Sequence, residues 1–153
     1  MKSIHINPIG FVKRSSSEEN ERDRSLITKI IINKELNDAL DGIEDFSHVY
    51  IIFWLDKVKF NGYLHRPRKI KDSKDLGVFA TRAPIRPNPN GLTLVKLIKR
   101  EENNIWVEGL DALDNTPVLD IKPYPDWDHG MCIVITDFEI PDWIKNQKKI
   151  KEL

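Results

Sequence analysis

The sequence predicts a mainly β fold, a single-domain barrel or sandwich with short helical elements. Three observations lead there. Apolar residues come in short runs of about strand length, and turn-forming residues fall between the runs. Few stretches sustain a helical period. The 153 residues amount to one ordinary domain spanning 1–153, with no internal repeat to divide it.

The elements follow in order. Ile4-His5-Ile6 alternates, and Ile9 to Val12 continues it past Pro8. Leu26 to Ile32, rich in Ile with one Thr, suits a strand. Lys34 to Leu40 predicts one or two helical turns stopped at Gly42. His48 to Leu55 is nearly continuous in apolar residues and reads as a strand buried on both faces. Leu76 to Thr81 is a further short strand. In Leu92 to Ile98, the residues Leu92, Leu94, Val95 and Leu97 compete for the core. Asn104 to Leu110 alternates through Ile105, Val107 and Gly109. Val118 to Ile121 and Cys132 to Ile135 add two strands, and Pro141 to Leu153 predicts a C-terminal helix.

Composition removes several function classes. Lys plus Arg equals Asp plus Glu at 24 each, so a nucleic-acid site has to come from local clustering of charge. The clustering is found in Lys57 to Lys74, a long connection holding Lys57, Lys59, Arg66, Arg68, Lys69, Lys71 and Lys74. No two of the seven glycines stand one residue apart, so the G-x-G turn of a dinucleotide site is missing and no P-loop is present. His5, His48, His65 and His129 form no zinc pair, and Cys132 is the single cysteine, so no metal site is expected. The apolar run Val49 to Leu55 is far too short to span a bilayer. With no apolar leader segment and no disulfide, the expectation is a reduced cytoplasmic protein without a membrane role.

Chemistry concentrates in three stretches. Gly77 to Leu92 carries Pro84, Pro87 and Pro89, which fix φ and push the preceding residues toward extended backbone. A stiff loop holding Arg82 and Arg86 suits an oxyanion or a nucleotide edge, because little side-chain freedom remains to be lost on binding. Asp111 to Tyr124 contains the turn signal Asp114-Asn115-Thr116-Pro117. Beyond it, Asp120 and Lys122 are two apart on an extended run and face one side, as a structural ion pair or a catalytic pair. Gly42 to Asp56 brings Ser47 next to His48. Adjacent residues rarely make a nucleophile and its base, and a histidine opening a strand is more often structural.

Together these stretches resemble the TrmO family, also called TsaA-like or YaeB-like. The matching residues are Phe46-Ser47-His48, Gly77 to Arg82 with Arg86-Pro87-Asn88-Pro89, and Thr116 to Tyr124, and the likeness runs from about Ile9 to Tyr124. The resemblance implies a small β-barrel homodimer with S-adenosyl-L-methionine bound near the dimer interface. It also implies methyl transfer to N6 of threonylcarbamoyladenosine beside the tRNA anticodon. Carried over residue by residue, the cofactor positions are Asp56, Lys57, Arg82, Leu92, Asp111, Ala112, Leu113 and Asp114. Asp114 and Asp120 are the carboxylates to accept a proton. Arg86, Asn88, Lys122 and Tyr124 are the candidates for the tRNA substrate.

The chain departs from the family pattern in three places. Asp56-Lys57 stands where the family often has His-Gln. Asp23-Arg24-Ser25 stands near its Gln-Pro-Gly. Asp114-Asn115-Thr116-Pro117 replaces Asp-Gly-Thr-Pro, and Asn accepts the same left-handed turn. Two other classes fit the same residues. One is a non-catalytic nucleic-acid-binding barrel, using the basic loop and aromatics such as Trp127. The other is a same-fold methyltransferase with a different small substrate.

Overall fold

The computed structural model describes residues 3–14, 23–67 and 74–124. Six strands form a closed antiparallel barrel in the order β1-β2-β7-β6-β3-β8. These are β1 (Gly10–Lys13), β2 (Ile27–Ile32), β3 (His48–Trp54), β6 (Asn90–Glu101), β7 (Asn104–Glu108) and β8 (Pro117–Tyr124). The short strands β4 (Leu64–His65) and β5 (Leu76–Gly77) pair with each other outside it. β1 closes the barrel against β8 through Gly10↔Val118 and Phe11↔Pro117.

Strict alternation builds the interior. Val12, Ile30, Ile32, Val49, Ile51, Ile105, Val107 and Val118 point inward and are buried, with Leu110 and Ala112 closing one mouth. At the other mouth the 3-10 turns Lys34–Leu40 and Ile43–Asp45 insert Leu40, flanked by Leu36, Ile43 and Phe46. Gly42, at φ 81°, makes the left-handed break between them. Arg100 clamps this cover to β6 by donating to Asp41 at 2.9 Å, Glu44 at 3.2 Å and the Asn37 carbonyl at 3.2 Å. Register shifts between Ile52 and Phe53 against β8, and between Leu97 and Lys99 against β7, add the local bend that closure of a small barrel requires.

The barrel bears out the fold class, and particular elements differ from expectation. Ile4 to Ile6 is exposed and in no strand, since nothing among the described residues pairs with it. β3 is not buried on both faces. Val49, Ile51 and Phe53 face the core, while Tyr50, Ile52 and Trp54 are half-buried on the outer wall. The contest in β6 goes to Val95 and Leu97, and Leu92 and Leu94 point outward. The register with β3, Val49↔Val95 opposite Tyr50↔Leu94, decides it. In Leu76 to Thr81 only Leu76–Gly77 is strand, and Val78–Ala80 winds into a 3-10 turn. The expected strand Cys132 to Ile135, the helix Pro141 to Leu153, Trp127 and residues 68–73 of the basic loop lie outside the described residues.

Candidate cofactor and substrate site

β6 is longer than its neighbours, and that length creates the site. β3 covers one edge over Asn90 to Lys96, but β7 covers the opposite edge only from Lys96 to Glu101. Over 90–95 no strand among the described residues pairs with that second edge. Two irregular segments approach it instead. One is the proline-stiffened loop before β6, and the other is the chain leaving β7 at Gly109.

Arg82 comes from the first. Its Nη2 donates to the Leu92 carbonyl at 3.3 Å, laying an exposed guanidinium along the open edge. The loop holds it there by local bonds. The Thr81 hydroxyl donates to the Val78 carbonyl at 3.0 Å and accepts the Ala83 N–H at 3.3 Å. Arg86 turns back on its own loop, donating through Nη1 to the carbonyls of Thr81 at 3.0 Å and Ala83 at 3.3 Å. Its guanidinium carbon lies 5.8 Å from the centroid of exposed Phe79. At the end of the loop the Leu55 N–H donates to the Pro89 carbonyl at 2.7 Å, which sets exposed Asp56 and Lys57 beside Asn88 to Asn90.

Asp111 comes from the second segment. Leu110 and Ala112 are buried in the barrel mouth, leaving Asp111 and Leu113 half-buried at its rim. With its side chain in the core, Ala112 has only its backbone to offer a ligand. The Thr93 hydroxyl donates to Asp111 Oδ1 at 2.7 Å, and the Arg24 guanidinium pairs with Oδ2. The Gly109 N–H donates to the Arg24 carbonyl at 3.0 Å, tying residues 23–25 to the same rim. Burial alone would raise the Asp111 pKa. The Thr93 hydrogen bond and the Arg24 charge outweigh it and hold the carboxyl below its ordinary range.

A carboxyl with a depressed folded pKa adds stability above its unfolded pKa, and the contribution is lost as pH falls through the folded one. Thr93→Val is therefore expected to bring the Asp111 pKa upward. Thermal melts from neutral pH down through the carboxylate range should show the variant's deficit shrinking on acidification, because the wild type loses the same contribution. A deficit independent of pH would remove this account.

The other predicted residues fall into two places. Asp114 sits on the turn before β8, where Asn115 adopts φ 61° in the left-handed region, as the Asn-for-Gly replacement anticipated. Its Oδ1 accepts the Arg14 N–H at 2.8 Å, and its Oδ2 accepts from Asn115 Nδ2 at 2.9 Å with Lys13 Nζ 3.6 Å away. Asp120 and Lys122 form a 3.0 Å ion pair on the outer wall. Tyr124 packs edge-on to Tyr50 at 5.8 Å. The rows Asp120↔Ile52↔Leu92 and Lys122↔Tyr50↔Leu94 connect this wall to the open edge of β6. Arg82 bonds the Leu92 carbonyl and Asp111 the adjacent Thr93, which gathers the three along one stretch of β6. The structure brings Asp120 and Lys122 within two strand spacings, roughly 10 Å, and holds Asp114 in a separate set of bonds. Ser47 Oγ lies 2.9 Å from His48 Nδ1 on the exterior, in register with Lys96 and Tyr124.

Three residues of the rim escaped sequence reasoning. Arg24 stands in the segment that departs from the family pattern, and that departure was the available signal. Thr93 is an ordinary strand residue by pattern. Buried Arg14 donates to the carbonyl of Asp23, 9 residues away, and to that of Leu110, 96 residues away, and no local signal marks the longer link.

Comparison with known proteins agrees with the barrel. Residues 13–129 match the family model described as the tRNA-methyltransferase O N-terminal domain. A probable S-adenosyl-L-methionine-binding protein of Methanothermobacter thermautotrophicus is 45% identical over 126 residues, covering 79% of this chain and 90% of that one. The human tRNA (adenine(37)-N6)-methyltransferase is 39% identical over 137 residues, 80% of this chain and 30% of its own. The crystal structure of TrmO from Pseudomonas aeruginosa superposes with a TM-score of 0.66 at 30% identity, covering 92% of this chain and 66% of that one. The matches thus span most of the archaeal protein, about two thirds of the bacterial one and under a third of the human one. With a matched family model over most of its length and strands that close the expected barrel, the chain belongs to the tRNA-methyltransferase O N-terminal domain family.

Proposed function

We propose that this protein is an S-adenosyl-L-methionine-dependent tRNA methyltransferase whose acceptor is N6 of threonylcarbamoyladenosine beside the anticodon. The observation that carries the reading is the open edge of β6, where a guanidinium and a fixed carboxylate flank Leu92. That donor set fits the cofactor. Arg82 matches an α-carboxylate, Asp111 accepts from hydroxyl or ammonium groups, and Leu92, half exposed at 51%, offers apolar contact. When bound, the cofactor supplies an electrophilic methyl group on a sulfonium sulfur.

The chain's own work is orientation and proton handling. Arg82 and Asp111 are fixed by backbone and side-chain bonds before any ligand arrives, so their alignment costs little on binding. The acceptor nitrogen lies between a purine ring and a carbonyl and gives up its proton more readily than an ordinary amine. Of the two candidate carboxylates, Asp114 has both oxygens committed to the turn. Asp120 also accepts through both oxygens, from the Ile121 N–H at 2.9 Å and from Lys122 at 3.0 Å, but it lies on the solvent-facing wall in the row that leads to Leu92, and it is the group assigned to receive the proton. Arg86, Asn88, Lys122 and Tyr124 surround the approach from the loop and wall sides. Asp56 and Lys57 extend the cofactor side.

The assembly proposed is a homodimer. Leu94 and Tyr124 are 43% and 47% exposed beside Leu92, Ile52 and Tyr50, an apolar face that a second copy would cover while completing a shallow site. Leu94→Asp should then reduce the light-scattering mass from dimer to monomer, and a wild type active as a monomer would contradict the assembly. The reducing cytoplasm is the compartment proposed, matching an RNA substrate and a lone cysteine.

Incubation with labelled cofactor and tRNA carrying the threonylcarbamoyl group, followed by nucleoside analysis, tests the function. Label in N6-methylated threonylcarbamoyladenosine is expected. Cofactor binding without transfer to any tRNA would favour a different small substrate, and binding of tRNA without cofactor would favour the non-catalytic barrel.

A further inference from the structure

The outer wall away from the apolar face carries an unusual row. Lys13 of β1 stands opposite Lys29 of β2, Lys29 opposite Trp106 of β7, and Trp106 opposite Lys99 of β6. Residues directly opposite on neighbouring strands project from the same face, so four adjacent strands present three ammonium groups and one indole in a line. Like charges facing each other across a strand pair destabilise a sheet, so Lys13 opposite Lys29 calls for an anion.

The indole organises the charges. Lys29 Nζ is 5.2 Å and Lys99 Nζ 4.4 Å from the Trp106 ring centroid. Cation–π attraction holds both ammonium groups near one rigid ring, lowering the entropy that free lysines lose on binding. Nearby acids neutralise the row only in part. Lys99 pairs with Glu101 at 2.6 Å and Lys13 with Asp114 at 3.6 Å, while Lys29 meets no carboxylate among the described residues. The Lys13–Asp114 contact also places one end of the row at the turn beside the candidate site.

We propose that the Lys13–Lys29–Trp106–Lys99 row is a docking track for the sugar–phosphate backbone of tRNA, separate from the Lys57 to Lys74 loop. The inference rests on the tRNA reading above. Charge complementarity selects the partner. Spaced ammonium groups running away from the site suit a polyanion that extends past its reacting nucleotide, and phosphate contacts of this kind position without reading sequence.

The test is fluorescence anisotropy with a tRNA transcript across a salt series, comparing wild type, Lys29→Gln/Lys99→Gln and Trp106→Phe. Losing two phosphate contacts should lower the slope of log affinity against log salt by about 1.4–1.8 and weaken low-salt binding on the order of tenfold. Trp106→Phe, which keeps an aromatic face, should retain most of the binding. Both substitutions fall on the outer wall, and unchanged melting curves establish that the barrel is intact. Wild-type affinity and slope in the double variant, with methylation of tRNA by the wild type preserved, would overturn the track alone. Failure of the wild type to bind any tRNA would overturn it together with the functional reading. Loss of binding to anionic lipid vesicles but not to tRNA would assign the row to a different partner and also overturn it.

Discussion

Arg82→Ala is expected to weaken S-adenosyl-L-methionine binding by roughly ten- to a hundredfold. Thr81 caps the 3-10 turn, Arg86 staples the following carbonyls, and three prolines stiffen the rest, so Arg82 leaves its anchor with its fork already along β6. A charged hydrogen bond made by a preset group is worth about 1.5–3 kcal/mol, and 1.4 kcal/mol is tenfold. The salt dependence of tRNA binding should hardly move, because a single fixed guanidinium serves a small ligand. Neutralising Lys59, Arg68 and Lys69 in the basic loop should do the reverse, flattening the salt slope while calorimetric cofactor affinity stays near wild type. A loop variant that lost the cofactor and kept its full salt slope would exchange the two assignments.

The second large effect is on folding. In Gly10→Ala the new methyl would overlap the Ile31 carbonyl oxygen and lie 2.8 Å from Ile32 Cα. Both are backbone atoms of the paired strand, so no side-chain rotation relieves the clash, and β1 must move away from β2. That costs about 3 kcal/mol, or roughly 10 °C in Tm for a domain of this size. Gly77→Ala is the control. Its φ is −57°, an ordinary value, and nothing lies within 4 Å of an added methyl, so its melt should stay close to wild type. Equal melting temperatures for the two variants would show that close approach at Gly10 does not limit stability.

Much of this architecture was legible in the sequence, for identifiable reasons. Asn104–Glu108 shows itself because one face is core and the other is wall, and alternation records that division, whereas Ile27–Ile32 shows itself through β-branched content alone, with Thr28 buried and Ile27 and Ile31 exposed. β3 misled because its outer face carries Tyr50, Ile52 and Trp54. An apolar outer wall resembles a buried interior when composition is the only guide. Leu92 and Leu94 misled for the same reason, and only register against Val49 and Ile51 separates them from Val95 and Leu97. At the site, Arg82 could be anticipated because proline spacing is a local signal. The bonds from Arg24 and Thr93 to Asp111 join residues 87 and 18 positions apart, and nothing local encodes them.

The seam between β1 and β8 bears on how the protein forms during synthesis. Of the six barrel strands, the one that closes the barrel is the last in chain order, and its partner β1 is the first. Until Val118 has left the ribosome, β1 has one unmatched edge and β3 lacks the neighbour that β8 will provide. The nascent chain therefore carries two open β edges until β8 follows, each able to recruit a strand from another nascent chain. Closure comes as a late, long-range step, slow by topology. Residues 117–124 thus act as the latch of the fold, and a chain stalled before them has every inward-facing residue of β1 and β3 in place with nothing to shut the barrel around them.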